Sequence, residues 1–153
     1  MRSFELSERP NVLLINCDDL GYGDLGCYGS RRNRTPYIDR LAADGVRFTD
    51  FYMASPVCSA SRGAMLTGCY PRRIGFDRFL SSAGVLFPGD PEGLHPFERT
   101  IADLLREQDY ATRIIGKWHC GDQPEHLPTR HGFDGYFGLP YSNDMGRQRC
   151  LLF

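Results

Sequence analysis

The run Asn11-Val12-Leu13-Leu14-Ile15-Asn16-Cys17, which follows Pro10, is short and continuously apolar. Such a run suits a strand covered on both faces, the usual condition of a strand in a parallel sheet. It stops at Asp18-Asp19, and the glycine-rich stretch Leu20-Gly21-Tyr22-Gly23-Asp24-Leu25-Gly26 follows. A chain that opens this way needs further strands, and helices to cross between them.

The rest of the sequence supplies those signals in alternation. Thr35 suits a helix N-cap, Pro36 the first helical position and Gly45 the stop, with Ile38, Leu41 and Ala42 as the apolar face. Val46 to Tyr52 alternates as a second strand. Cys58 to Thr67 reads as a helix closed by Gly68. Gly75 to Pro96 is rich in Gly and Pro and reads as a long loop. Thr100 to Gln108 reads as an amphipathic helix with Ile101, Leu104 and Leu105 inward, and Ala111 to Gly116 as the next strand. Beyond Trp118, loop signals at Pro124, Pro128, Gly132, Gly135, Gly138 and Pro140 predict irregular structure. The expectation is one α/β domain over residues 1–153, with a mostly parallel sheet flanked by helices.

A chain of 153 residues is long enough to bury a core. Its formal net charge of -1 leaves no electrostatic footprint for nucleic acid or a membrane surface. No apolar run approaches membrane-spanning length. Met1 to Pro10 is polar and charged, with no hydrophobic signal core, so the sequence as it stands points to the cytoplasm. A longer N-terminus would open the periplasm or secretion. The six cysteines, at 17, 27, 58, 69, 120 and 150, form no CxxC pair, and free thiols are expected. His119, Cys120 and His126 match no common zinc spacing.

Two constellations carry chemistry on their own residues. Asp18-Asp19 stands at the carboxyl end of the first expected strand, where open α/β sheets bind ligands. Adjacent strand residues point to opposite faces, so the two carboxylates converge only if the strand has ended. Hard oxygen donors of this kind suit Ca²⁺ or Mg²⁺, although an acidic loop has the same composition. Arg62 follows Cys58 by four residues, one helical turn on and on the same side. A helix N-terminus there adds backbone donors for an anion.

Three segments extend these readings. Cys58-Ser59-Ala60-Ser61-Arg62-Gly63-Ala64-Met65-Leu66-Thr67-Gly68 resembles the signature of the sulfatases, in which a maturation enzyme oxidises the cysteine to formylglycine (3-oxoalanine). Asn11 to Asp24 resembles the opening of sulfatases and, more loosely, of the alkaline phosphatase superfamily. Gly116-Lys117-Trp118-His119-Cys120-Gly121 resembles the sulfatase Gly-Lys-Trp-His-Leu-Gly segment, with Cys120 in place of leucine. The resemblance runs from about Arg9 to Met145 and covers the N-terminal part of a sulfatase. It implies an incomplete alkaline-phosphatase-like core that stops before the downstream metal and substrate ligands.

The same resemblance implies roles. Cys58, once formylglycine, is the nucleophile and a metal ligand beside Asp18 and Asp19. Arg62 and Lys117 hold charge, and His119 moves protons. An aldehyde hydrates to a geminal diol, so one hydroxyl attacks sulfur and the other later expels sulfate, which a thiolate cannot do. The implied substrate is a small-molecule or carbohydrate sulfate ester. The implied partner is a formylglycine-generating or an anaerobic maturation enzyme. Ala60, where many sulfatases have proline, narrows which of these acts.

Two alternatives stand beside hydrolysis of sulfate monoesters. Phosphonate monoester and phosphodiester hydrolases of the superfamily share the Asp18 segment, whereas the Gly-Lys-Trp-His segment favours the sulfatase. A truncated, catalytically dead remnant is the third reading. With so few ligands, the isolated chain is expected to be weakly active or inactive. Asn143-Asp144 resembles a bacterial sulfatase segment, structural or close to substrate. His95, His126 and His131 read as loop or surface residues, and Arg72-Arg73 as a solvated turn.

Overall fold

A computed structural model describes residues 9–80, 84–145 and 151–152. The chain divides into two units, residues 1–50 and 51–153.

In the first unit, helix α1 spans Pro36–Asp44, with Thr35 at the N-cap and Gly45 at the C-cap as its punctuation predicts. The glycine-rich loop is tied to its start. Gly26 N donates to Thr35 Oγ1 (2.8 Å) and Cys27 N to Asp39 Oδ1 (2.7 Å), while Thr35 Oγ1 donates to Asp39 Oδ1 (2.9 Å). The expected strand over residues 11–17 does not form: the segment is extended, and Leu13 and Ile15 are 84% and 70% exposed. A strand exists only through its ladder, and no strand is found among the described residues of this unit. Val46 to Tyr52 likewise carries no strand.

In the second unit, helix α2 spans Cys58–Thr67 and ends at Gly68 in the left-handed conformation (φ 69°). It is buried along Ser59, Ala60, Arg62, Gly63, Ala64 and Leu66. Gly63 makes this possible, because a Cβ there would lie 2.7 Å from the Phe76 ring and 2.9 Å from Ile74. The core gathers Ala60 and Leu66 of α2, Ile74, Phe76, Phe79, Leu86 and Leu94 of the following segment, and Trp118, Cys120, Tyr136 and Tyr141. The long loop is thus pinned by two leucines, Leu86 and Leu94, that are wholly buried.

Helix α3 spans Ile101–Arg106 and starts on a capping box between Thr100 and Asp103. Its inward face differs from the expected one. Ala102 is buried, while Ile101 and Leu104 are 39% and 51% exposed. The short helix is positioned by its N-terminus, where Thr100 Oγ1 donates to His131 O (2.8 Å), and that turns Ala102 inward.

Strand β1 spans Arg113–Lys117 and pairs in parallel with β2, Gly135–Leu139, in the register Arg113↔Gly135 to Lys117↔Leu139. Strand β3, Leu151–Leu152, pairs antiparallel with β2. β2 lies where loop was expected. Its glycines read as breakers, yet Gly138 is required by pairing: a Cβ there would lie 1.9 Å from Gly116 O. The fold class stands as expected, α/β with a parallel pair at its centre.

Candidate active site

The carboxyl end of β1 runs on through Trp118 and His119. Their amides donate to Leu139 O (3.0 Å) and Pro140 O (2.8 Å), so the chain stays beside β2 past its last paired residue. Trp118 is buried, and its indole Nε1 donates to His126 O (2.9 Å). His119 then adopts φ 61°, a left-handed conformation uncommon for a residue with a side chain. Its imidazole is wholly buried, edge-on to Tyr141 at 5.3 Å.

Two links join this end of β1 to α2. Arg62 Nη1 donates to Lys117 O at 2.7 Å. The second link passes through the peptide of Leu86. Leu86 N donates to Ser59 Oγ (3.0 Å), and His119 Nε2 lies 3.0 Å from Leu86 O. A carbonyl only accepts, so Nε2 carries the hydrogen, and in the neutral ring Nδ1 is the acceptor. Cys58, the first residue of α2, is a half-buried free thiol.

Electrostatics locate the neighbours. Burial pushes the Cys120 thiol far up, while the Arg62 guanidinium pulls it down and Cys58 adds to the rise. The Asp144 carboxyl is held below its usual range, first by its hydrogen bond with Ser142, with Lys117 and His119 adding to the effect. Burial, then Asp122 and Asp90, push the Tyr141 hydroxyl up.

The structure therefore brings together four expected residues, Cys58, Arg62, Lys117 and His119, in one unit. Sequence reading did not mark Ser59 or Leu86 as parts of the assembly, although Ser59 lies inside the motif. His126 and His131 are buried, not at the surface. His131 sits 5.8 Å from the Trp118 ring, and burial lowers it to about 4. Arg72 and Arg73 are exposed, as expected of a solvated turn.

Asp18 and Asp19 belong to the first unit and form a turn, with Asp19 at φ 57°. Their oxygens suit a hard cation in kind. The pair supplies part of a shell, since Ca²⁺ takes roughly six to eight oxygens, and no group of three or more His, Cys, Asp or Glu residues gathers among the described residues. No helix among them is long and apolar enough to cross a membrane.

A family model described as Sulfatase matches residues 10–150. The chain belongs to the sulfatase family. It is 51% identical over 139 residues to arylsulfatase A of Bos taurus, a match that covers 90% of this chain and 26% of that sulfatase. It is 49% identical over 140 residues to steryl-sulfatase of Rattus norvegicus, covering 88% and 24%. The crystal structure of Ps i-CgsB superposes with a TM-score of 0.80 at 43% identity, over 88% of this chain and 29% of that one. The fold is that of the alkaline-phosphatase-like sulfatases. This sulfatase chain spans about a quarter of the length of the curated relatives it matches.

Proposed function

We propose that this chain carries the nucleophile and the charge-holding groups of a sulfuric ester hydrolase. One observation supports this most. Cys58 and Arg62 lie in one helix, Lys117 ends one strand and His119 follows it, and hydrogen bonds through Lys117 O and the Leu86 peptide lock the two together. Formylglycine at position 58 would supply a hydroxyl to attack sulfur and a second to expel sulfate.

The chain's own residues do the rest. Arg62 holds the Lys117 carbonyl with one arm, and its fixed charge beside residue 58 favours an anionic oxygen there. Lys117 offers an ammonium to the sulfate. His119, with Nε2–H committed to Leu86 O, presents Nδ1 as a proton acceptor in a fixed orientation. Asp18 and Asp19 contribute two oxygens toward Ca²⁺ or Mg²⁺, and other groups complete its shell. A formylglycine-generating or anaerobic maturation enzyme is the partner that modifies Cys58. Relatives named for aryl and steryl sulfates support an organic sulfate ester as the substrate.

The test expresses the chain with a formylglycine-generating system and compares matched 4-nitrophenyl sulfate and phosphate. The reading expects slow, cation-dependent sulfate hydrolysis that Cys58→Ala abolishes. Faster phosphate hydrolysis would favour a phosphoester hydrolase, and no sulfate turnover by matured chain would favour a non-catalytic remnant.

A further inference from the structure

The peptide of Leu86, which holds the His119 ring, begins a segment that is fastened again at Leu94. Both leucines are wholly buried. Leu94 N donates to Cys120 O (2.7 Å), and Leu94 O lies 2.9 Å from His126 Nδ1. Between the two leucines, Gly89 N donates to Asp122 Oδ2 (2.9 Å) and Gln123 Nε2 to Asp90 O (3.2 Å). Segment 86–94 is thus laid along residues 119–126, with His119 at one end and His126 at the other.

These ties are not equal. Those at Gly89 and Asp90 are exposed or part-buried, so water can replace a lost partner. The His126–Leu94 bond is buried, and loss of its donor strands a carbonyl out of reach of water. The His126 ring is also fitted to its place. A Cβ at Gly93 would lie 2.4 Å from the ring, and one at Gly121 would lie 2.7 Å from the His126 Cβ. His126 O accepts from the Trp118 indole at 2.9 Å, which seats the residue on the stretch that carries His119. A carbonyl only accepts, so Nδ1 carries the hydrogen at 2.9 Å. Nε2 lies 3.4 Å from Pro91 O, beyond the usual N–H···O range.

We propose that His126 is a positioning residue for His119. Its Nδ1–H holds segment 86–94 against residues 119–126, so that Leu86 O meets His119 Nε2–H and leaves His119 Nδ1 as the proton acceptor. This deepens the proposed sulfate hydrolysis and rests on it for the kinetic measurement alone.

The test compares donors at one place. An asparagine amide reaches the place of His126 Nδ1, a glutamine amide reaches that of Nε2, and leucine has no donor. Nitrogen-15 NMR of the His119 ring is recorded on the 153-residue chain at about pH 8, where free imidazole is neutral. Hydrogen on Nε2 and none on Nδ1 is expected in the wild type and in His126→Asn. A mixture of the two tautomers is expected in His126→Gln and His126→Leu, and either variant that folds decides. Matured chain is then assayed on 4-nitrophenyl sulfate well below the melting range. A fall of about tenfold in kcat, with KM within about twofold, is expected for His126→Gln and His126→Leu, and His126→Asn is expected to recover it. A packing role alone would make turnover follow melting temperature in all three. An unchanged His119 signature in the glutamine and leucine variants, or an asparagine variant as impaired as the glutamine one, overturns the proposal. Matured chain that hydrolyses nothing while the His119 signature shifts as expected supports the positioning role and defeats the enzymatic reading alone.

Discussion

Arg62 of helix α2 donates a 2.7 Å hydrogen bond to the main-chain carbonyl of Lys117, 55 residues further on. Sequence spacing places Arg62 beside Cys58, one helical turn along. The structure adds a second use, since the same guanidinium fixes the end of the strand that carries Lys117 and leads to His119. One side chain thus connects both halves of the candidate site.

Replacing Arg62 by alanine removes a charged hydrogen bond from a part-buried carbonyl link. The expected loss of stability is about 2 kcal/mol, read from the shift of the urea midpoint. Arg62→Lys is expected to recover little, because an ammonium cannot reproduce the planar fork.

Ser59→Ala removes the acceptor of Leu86 N in a fully buried setting. An unsatisfied buried amide costs roughly 1–3 kcal/mol. The Leu86 peptide also holds His119, so sulfate hydrolysis is expected to fall more than the folded fraction does. Turnover measured well below the melting range separates the two effects.

Gly138→Ala would set a Cβ 1.9 Å from Gly116 O. The two strands cannot stay in register around it. A loss of roughly 4 kcal/mol or more is expected, seen as the disappearance of a cooperative thermal transition. A variant with an unchanged transition would contradict the β1–β2 pairing.

His131 is buried, and burial lowers it to about 4 from the usual 6.5. Between those values the unfolded chain binds a proton that the folded chain refuses. Stability is therefore intact above about pH 6.5 and falls as the pH drops toward 4. The whole effect has a ceiling of about 3 kcal/mol. Denaturant midpoints across this window are expected to decline, and His131→Leu is expected to flatten the decline.

Helices α1 and α2 were legible because their signals are local: Thr35, Pro36 and Gly45 bound one, and Gly68 ends the other. Cys58, Arg62, Lys117 and His119 could be picked out because two segments resemble one family, with departures only at Ala60 and Cys120. Non-local causes stayed hidden. Residues 11–17 have the composition of a buried strand, but a strand needs a ladder, and composition does not state whether one is present. Gly138 reads as a breaker until Gly116 is placed against it. The Ser59–Leu86–His119 link joins three distant segments through one peptide, and a peptide leaves no mark in side-chain patterns. The burial of His126 and His131 follows from packing around Trp118, which spacing alone does not reveal.

The state of residue 58 tests the central claim most directly. After expression with a formylglycine-generating system, the mass of the tryptic peptide from Phe48 to Arg62 reports it. The account predicts a species with aldehyde in place of thiol at Cys58, trapped by a hydrazine probe, despite Ala60. A peptide that stays wholly thiol with both aerobic and anaerobic maturation systems, while a proline-containing control is converted, would contradict the account.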